Sequence, residues 1–407
     1  MKMKLSRLKR SAIVLAGISA ASIPAVTHAD WSFVVLNSLD GGEFSNNTAY
    51  AINDSGQVVG QSDVSWDGGG ATHAFMTGPN GVGITNLHPY DWTPGSSSFA
   101  TSINNSGQVA GVAWTEDHNA LPYAFITGPN GIGFTDLGAF GGLASDVGDI
   151  NDSGQIVGQY YNNGDHTFIT GPNGVGMTDL GIPNLTSIIG GINNSGQVVG
   201  SQYFDGGYHA FITGANGSGV TMLQTLGGPF SAANDINNFG QVVGSASFVT
   251  DPRFSFYLNA FITDPEGTGI TNLGTLGGQG GSGASAINDL GEVVGTASAL
   301  NSYEPHAFIF SHGGMTDLSL LDPVVASGWS YVNPVDINNN GQIVGHGLDS
   351  NGHLRAFLLS YTPDTVFTPN PIFIPPPPVP EPKTYAMLLA GLGLIGFMAR
   401  RRKNTTV

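Results

Sequence analysis

A nine-residue segment with a fixed order of polar and apolar positions recurs seven times along the chain. It reads Ile-Asn-[Asp/Asn]-x-Gly-[Gln/Glu]-[Val/Ile]-[Val/Ala]-Gly and begins at Ile52, Ile103, Ile150, Ile192, Ile236, Ile287 and Ile337. Successive copies are 51, 47, 42, 44, 51 and 50 residues apart. Self-similarity at this period is typical of stacked repeats, so the sequence predicts one large repeat domain rather than several independent domains.

Within each repeat, short apolar segments alternate with turn residues. In the first copy they predict strands at 49–53, 57–62, 73–77 and 82–87. The residues 53–56, Asn-Asp-Ser-Gly, and 78–81, Gly-Pro-Asn-Gly, are typical of tight turns with glycine where a positive φ is needed. Each repeat is therefore predicted to be a four-stranded antiparallel meander.

The third and fourth strands carry their own recurring residues. The third strand has seven copies of a triplet that ends in phenylalanine: Phe75, Phe125, Phe168, Phe211, Phe261, Phe308 and Phe357. The fourth strand, marked by Thr-x-Leu, has only six copies after the first three strands. The seventh is predicted at the other end of the chain, where residues 31–36 precede Leu-Asp-Gly-Gly as later fourth strands precede Leu-Gly-Gly.

This offset predicts a closed architecture. Seven sets of strands one to three and seven fourth strands match only if the N-terminal strand completes the C-terminal sheet. The predicted fold is therefore an all-β, seven-bladed β-propeller of four-stranded blades, closed by the N-terminal strand, over residues 30–361. An open β-solenoid is the alternative, but it does not explain the offset.

Both ends of the chain differ in composition from the repeats. Residues 1–29 have a basic start, a short apolar run and small residues before position 30, which predicts a secretory signal peptide cleaved after Ala29. Residues 362–382 form a Pro-rich linker. Residues 383–407 contain an uncharged apolar segment and then a basic tail, which predicts a single transmembrane helix with its C-terminus in the cytoplasm.

The charge of the repeat region restricts the kinds of molecule that it can bind. Between Asp30 and Val379 there are two arginines and 28 of the 29 carboxylates, a net charge of −26. Such a surface repels phosphate backbones, so no nucleic acid is expected as a partner. The chain has no cysteine, which excludes disulfides and thiol chemistry.

The C-terminal segment resembles a known sorting signal. Val379, Pro380, Glu381 and Pro382, the apolar helix, and Arg400, Arg401 and Arg402 stand in the order and spacing of the PEP-CTERM signal of exopolysaccharide-producing Gram-negative bacteria. The resemblance implies export, a stay in the inner membrane, and processing by an exosortase, a membrane cysteine protease. It further implies delivery to the cell surface or the extracellular space.

The repeats also resemble a family of extracellular proteins named for a His-Ala-Phe (HAF) triplet. The triplet is His-Ala-Phe in three copies, while Tyr123, Asn259 and Arg355 replace the histidine and Thr167 replaces the alanine. That family has no established activity, so the resemblance implies location and fold rather than a reaction.

Candidate chemistry in the repeats is sparse. Residues 336–343 match the first eight positions of a calcium loop, but position twelve is Gly347 instead of glutamate, so an ordinary hairpin turn is preferred and no cofactor or metal is predicted. The third-strand histidines His73, His166, His209 and His306 are assigned to packing rather than to metal binding. No catalytic motif is present, and no catalytic residue is assigned.

The connections between second and third strands differ between repeats and carry aromatic and acidic residues. Aromatic faces beside carboxylates suit stacking against sugar rings. The candidate ligand-binding residues in these connections are Trp66, Asp67, Trp114, Asp117, Tyr161, Tyr203 and Tyr257. Tyr90, Asp91 and Trp92, in an irregular insertion after the fourth strand of the first repeat, are further candidates. The expected function is a non-enzymatic structural or adhesive module of the cell surface or exopolysaccharide matrix. A polysaccharide-active hydrolase or lyase and a scaffold for another protein are the alternatives.

Overall fold

The structure, a computed structural model, describes residues 31–42, 45–66, 69–88, 96–114, 121–182, 188–248, 258–302 and 304–361. These residues form seven antiparallel four-stranded sheets. The sheets surround a common axis as the blades of a β-propeller, which confirms the predicted fold. The predicted signal peptide, linker and C-terminal helix lie outside the described residues.

Blades 1 to 6 are simple meanders whose strands pair in sequence order, from the innermost to the outermost. The blades are numbered in chain order. Blade 1 contains β2 (Asn47–Ile52), β3 (Val58–Trp66), β4 (Gly69–Met76) and β5 (Thr85–Asn86). Blade 2 contains β6 (Ser97–Ile103), β7 (Val109–Trp114), β8 (Pro122–Ile126) and β9 (Thr135–Gly138). Blade 3 contains β10 (Ala144–Ile150), β11 (Ile156–Tyr161), β12 (Asp165–Thr170) and β13 (Met177–Asp179).

The remaining blades follow the same order. Blade 4 contains β14 (Ile188–Ile192), β15 (Val198–Phe204), β16 (Gly207–Thr213) and β17 (Val220–Met222). Blade 5 contains β18 (Ser231–Ile236), β19 (Val242–Ser247), β20 (Leu258–Ile262) and β21 (Thr271–Gly274). Blade 6 contains β22 (Gly277–Ile287), β23 (Val293–Ala299), β24 (Pro305–Ser311) and β25 (Gly314–Asp317).

Blade 7 closes the propeller. It combines β26 (Tyr331–Ile337), β27 (Gln342–Leu348) and β28 (Leu354–Tyr361) with the N-terminal strand β1 (Trp31–Val35) as its outermost strand. β1 pairs antiparallel with β28. The Trp31 and Tyr361 rings lie 4.9 Å apart, and the Phe33 and Phe357 rings 5.3 Å. The offset in the repeats therefore correctly predicted the closing strand.

The core lies between neighbouring sheets and is built from the recurring apolar positions. The third-strand phenylalanines of blades 1 to 6 are fully buried and Phe357 is 2% exposed. The Val58–Val59 pair of the repeat is also fully buried, as are its counterparts in the other blades. Because strand side chains alternate between the two faces of a sheet, these positions contact both neighbouring blades.

Every first strand carries a β-bulge at the same position. In blade 1 the register shifts between Ala49 and Ala51, and equivalent shifts occur in the other six blades. The last glycine of the repeat faces this bulge. A Cβ on Gly60 would lie 1.9 Å from the Thr48 carbonyl oxygen, which explains why glycine recurs there.

The fourth strands differ most from the prediction. β5 covers only Thr85–Asn86, because the preceding turn forms a short 3-10 helix at Pro79–Gly81 with Asn80 at φ 55°. The same turn recurs at Pro129–Gly131, Pro172–Gly174, Ala215–Gly217 and Pro265–Gly267. Between blades 6 and 7 the chain also forms a 3-10 helix, Leu318–Leu320, and one α-helix, α1 (Asp322–Ser327), which no repeat pattern predicts.

The meander gives the propeller two different faces. The first-to-second turns of all seven blades and the third-to-fourth turns of blades 1 to 6 emerge together on one face, called here the turn face. They contact each other: in blade 1 the Gly81 N–H donates to the Gly56 carbonyl at 3.0 Å. The second-to-third connections and the links between blades emerge on the opposite face, called here the loop face.

Candidate functional site

The asparagine of the repeat holds its own turn. Asn53 Oδ1 accepts from the backbone N–H groups of Ser55 and Gln57, at 3.1 and 3.0 Å. Its Nδ2 donates to Gln57 Oε1 at 2.8 Å. Gly56 completes the turn at φ +74°, a conformation that favours glycine. The Asn-x-x-Gly-Gln spacing is therefore a local requirement of one hairpin.

The same asparagine also joins neighbouring blades. Asn53 Nδ2 donates to the Asn104 carbonyl of blade 2, and the equivalent bond is present between every pair of neighbouring blades at 2.9–3.2 Å. The series ends where Asn338 of blade 7 donates to the carbonyl of Asn53. Seven buried amides thus form an unbroken circle of hydrogen bonds around the axis.

The next residue of the repeat, always aspartate or asparagine, forms a second circle at the mouth of the axis. This group, called here the axial belt, comprises Asp54, Asn105, Asp152, Asn194, Asn238, Asp289 and Asn339. Each backbone N–H donates to Oδ1 of the residue in the next blade at 2.8–2.9 Å. Each of its three carboxylates also accepts from carboxamides on both neighbouring blades.

Three further carboxylates lie one step deeper, at the position before the repeat isoleucine. They are called here the channel triad: Asp149, Asp235 and Asp336. Each accepts the N–H of its own following isoleucine and that of the isoleucine in the next blade. Asp336, for example, accepts from Ile337 at 2.7 Å and from Ile52 at 2.8 Å.

Enclosure in the channel perturbs the acidity of this triad. Burial raises the pKa of Asp336 to about 6 and raises the pKa of Asp149. The pKa of Asp235 is raised well above its ordinary value, first by burial and then by repulsion from Asp336 and Asp149. A carboxylate that loses water without gaining a cation favours its neutral form. Ionisation of all three triad carboxyl groups is therefore unfavourable.

Above the triad, the mouth of the axis contains a cavity of about 150 Å³. Its wall consists of the isoleucine, the asparagine and the axial-belt residue of all seven blades. The lining is mostly polar and carries only negative formal charge. The sequence predicts the isoleucine in the first strand and the asparagine and the axial-belt residue in the turn that follows it. The available signal was that the third position of the repeat is aspartate or asparagine in all seven copies.

The calcium-loop pattern at 336–343 falls within this structure. Both oxygens of the Asp336 carboxylate accept backbone hydrogen bonds. Asn338 Oδ1 accepts from the N–H groups of Asn340 and Gln342, as in an ordinary repeat turn. In the described part of the chain, no group of three or more histidine or acidic side chains is placed to hold a metal ion.

Three of the four third-strand histidines contact the fourth strand of their own blade. His73 Nδ1 contacts Asn86 Nδ2 at 3.0 Å, and His166 and His306 contact Asp179 and Asp317 at 3.1 and 2.7 Å. In blades 1, 3 and 6 these contacts join the histidine of His-x-Phe to the middle residue of Thr-[Asp/Asn]-Leu.

On the loop face, the structure brings three predicted residues into equivalent positions. Trp114 and Tyr161 are the last residues of β7 and β11, and Tyr203 is the last but one of β15. All three stand at the same register relative to the repeat glycine. They are called here the aromatic row. Tyr161 and Tyr203 are 45% and 44% exposed, while Trp114 is half-buried against Phe99, 5.0 Å between ring centroids.

The side chains of the other predicted site residues lie outside the described part of the structure. Trp66 ends β3, but its side chain is outside the description. Asp67, Tyr90, Asp91, Trp92, Asp117 and Tyr257 lie outside the described residues, as do the sorting-signal residues Val379, Pro380, Glu381, Pro382, Arg400, Arg401 and Arg402.

Comparison with known families identifies the C-terminal segment. Residues 378–403 match the PEP-CTERM protein-sorting motif. The chain carries a PEP-CTERM signal. The motif implies an exported protein processed by an exosortase through a membrane-anchored sorting signal. Within the residues that the structure describes, no helix is long and apolar enough to cross a membrane.

Residues 27–124 of this PEP-CTERM protein match a family described as a protein of unknown function, DUF3466. The match covers the start of the propeller and gives no activity. No curated protein matches the sequence.

Similar solved structures agree with the propeller fold. The β-propeller domain of the Trilobed protease from Pyrococcus furiosus is 10% identical, with a TM-score of 0.55 over 79% of this chain and 97% of that one. An acylaminoacyl peptidase is 8% identical, with a TM-score of 0.52. That match covers 78% of this chain and spans about half, 52%, of the peptidase. At these identities the likeness concerns the fold alone.

Proposed function

We propose that this PEP-CTERM protein is a non-enzymatic binding module that an exosortase delivers to the cell surface or the exopolysaccharide matrix, where it contacts glycan through its loop face. The observation that carries the proposal is the aromatic row. Three aromatic side chains recur at one register position in consecutive blades, whereas Asp63, Ser247, Ser298 and Leu348 stand there in blades 1, 5, 6 and 7.

The aromatic row has the chemistry for sugar recognition. Tyr161 and Tyr203 expose large parts of their rings beside carboxylates: Tyr161 pairs directly with Asp165 across the hairpin, and Asp205 stands on the turn after Tyr203. Tyr203 also packs edge-on against Tyr208, 5.4 Å between centroids, which restricts its orientation. Such rings can stack on sugar faces while nearby carboxylates accept hydrogen bonds from sugar hydroxyls.

A binding role is preferred over a polysaccharide-active hydrolase or lyase. Glycoside hydrolysis requires two carboxyl groups that face a bound sugar. In the described residues, Asp149 and Asp235 lie on either side of Gly191, but their oxygens accept backbone hydrogen bonds within the channel. This arrangement supports a structural role for that pair. We also propose that binding needs no cofactor, calcium included, and that the repeats belong with the extracellular HAF-repeat proteins.

The test is calorimetry of the propeller, residues 30–362, against a panel of bacterial and plant polysaccharides, with and without calcium. Release of reducing ends or unsaturated sugars is monitored in parallel. We expect saturable binding without turnover, which is lost when Tyr161 and Tyr203 are both changed to alanine. Phe239→Ala, which removes an aromatic side chain from the opposite face, is the matched control. Turnover would favour the enzyme, and absence of binding to every glycan would contradict the proposal.

A further inference from the structure

Two exposed apolar side chains stand among the polar turn residues around the mouth of the axial cavity. The fourth position of the repeat is serine in blades 1 to 4 and asparagine in blade 7, but it is Phe239 in blade 5 and Leu290 in blade 6. Phe239 is 59% exposed and Leu290 is 68% exposed. The hairpin does not need an apolar residue here, because five other blades form the same turn with a polar one.

The two residues occupy equivalent turn positions on neighbouring blades at the mouth. Each follows an axial-belt residue, and those belt residues are bonded: the Asn238 N–H donates to Asp289 Oδ1 at 2.9 Å, and Asn238 Nδ2 donates to Asp289 Oδ2 at 2.9 Å. Phe239 and Leu290 therefore form a two-blade apolar step beside the cavity, with a belt carboxylate directly adjoining it.

The cavity itself attracts positive charge. Asp54, Asp152 and Asp289 stand at its rim, and the channel triad lies beneath it. Among the described residues Arg355 is the only lysine or arginine, and it lies on β28, the third strand of its blade, away from the axis. The cluster of carboxylates is thus uncompensated by any described cationic side chain of the chain itself.

We propose that the turn-face mouth of the propeller docks a segment of a partner protein that inserts a lysine or arginine side chain into the axial cavity and rests an apolar neighbour on Phe239 and Leu290. The cavity volume of about 150 Å³ suits the end of one side chain rather than a folded element. Charge complementarity at the axis gives orientation, and the apolar step gives burial.

A side chain suits this site better than a bare metal ion. The Oδ1 atom of every belt residue already accepts a backbone N–H from the preceding blade, so direct metal ligation by those atoms would compete with the bonds that close the circle. Each belt carboxylate accepts two carboxamide N–H groups at Oδ2 but only one backbone N–H at Oδ1, as Asp54 does. The second lone pair of that Oδ1 can accept a hydrogen bond from an ammonium or guanidinium group. The side chains of Phe239 and Leu290 offer no ligand atom to a metal ion.

The test uses fluorescence anisotropy of three labelled nine-residue peptides with Leu-Lys-Leu, Leu-Glu-Leu or Ser-Lys-Ser at the centre. We expect the propeller to bind the Leu-Lys-Leu peptide about tenfold more tightly than either of the others. Phe239→Ser together with Leu290→Ser, which installs the residue of blades 1 to 4, reduces that affinity about tenfold. Asp289→Asn, which installs the residue of four other belt positions, also weakens binding.

The control variant carries Val82→Ser and Ile132→Ser, since these side chains are 71% and 74% exposed on the third-to-fourth turns of the same face. It should bind the Leu-Lys-Leu peptide as the wild type does. Equal affinity for all three peptides, or no binding, would overturn the proposal. Calcium that binds alone and displaces the peptide, with unchanged affinity in the Phe239/Leu290 variant, would overturn it in favour of a metal site.

Discussion

Replacing Asp336 with alanine should change how the stability of the propeller depends on pH. Alanine is an accepted residue at this position, because Ala51 and Ala286 occupy it in blades 1 and 6. Burial raises the folded-state pKa of Asp336 to about 6, whereas an unfolded chain titrates near about 3.9. A raised folded-state pKa means that the folded protein binds this proton more tightly than the unfolded chain. The resulting stabilisation is complete below the unfolded-state pKa and is lost as the pH rises through about 6.

The gap between the two pKa values corresponds to about 3 kcal/mol in the free energy of unfolding, and about 2 kcal/mol of it is lost between about pH 4.5 and pH 7.5. The alanine variant also loses the hydrogen bonds from Ile337 and Ile52, a cost that does not depend on pH. The variant should therefore be clearly less stable than the wild type at acidic pH, and the difference should shrink or reverse at neutral pH.

The assay is urea unfolding of residues 30–362 at several pH values between those limits, followed by tryptophan fluorescence. Taking the difference between wild type and variant cancels the titration of every other group that does not interact with Asp336. Asp205→Asn, which removes an exposed turn carboxylate outside the channel, is the control. Parallel pH profiles for the wild type and the Asp336 variant would refute the reasoning.

Three further predictions concern the scaffold. Gly60→Ala should prevent correct folding or destabilise blade 1 by more than about 3 kcal/mol, because the new Cβ would meet the Thr48 carbonyl. Gly70→Ala is the control and should be tolerated, because nothing lies within 4 Å of the new Cβ. Thermal unfolding distinguishes the two variants. Tyr361→Phe should lower the free energy of unfolding by about 2 kcal/mol, because it leaves the buried Glu292 carboxylate without the tyrosine hydroxyl. A second change, of Glu292 to the glutamine found in the other six blades, should recover part of that loss in urea unfolding. Deleting β1 should abolish cooperative unfolding in calorimetry, since blade 7 then lacks its outer strand; an unchanged transition would contradict the role of β1 in closure.

The blade count and the closure could be predicted from the sequence because both are matters of order. The repeat fixes where each sheet begins, and the missing seventh Thr-x-Leu segment fixes which strand must come from the other end. Phe75 and its six equivalents could likewise be assigned to the core from alternation alone. These inferences need only local pattern and the requirement that every sheet has four strands.

The axial belt and the channel triad could not be predicted in the same way. Their contacts between blades join residues 42 to 52 positions apart, or more than 280 across the closing junction, and they exist only once seven blades meet at one axis. A single repeat shows Asn53 and Asp54 as turn residues, which they also are. The helix α1 was missed for a different reason, because it lies in a link between blades where no repeat constrains the sequence.

The arrangement of carboxylates on the axis follows a rule that the closed ring imposes. In blade order the triad level reads Ala51, Ser102, Asp149, Gly191, Asp235, Ala286 and Asp336, and the belt level reads Asp54, Asn105, Asp152, Asn194, Asn238, Asp289 and Asn339. At neither level are two aspartates adjacent. A triad carboxylate reaches across the next blade's position, as Asp149 Oδ2 does within 3.4 Å of a Cβ on Gly191, so its neighbour must be small.

A ring of seven positions accommodates at most three members when no two may be neighbours. Both levels hold three aspartates, so each holds the largest number of carboxyl groups that the geometry allows without direct contact between them. The structural need could be met at lower charge: asparagine supplies the same Oδ1 acceptor at four belt positions, and alanine or glycine replaces the triad residue in three blades. The carboxyl groups beyond this structural need favour a cationic occupant at the axis. The site adjoins blades 5 and 6, whose turns present Phe239 and Leu290.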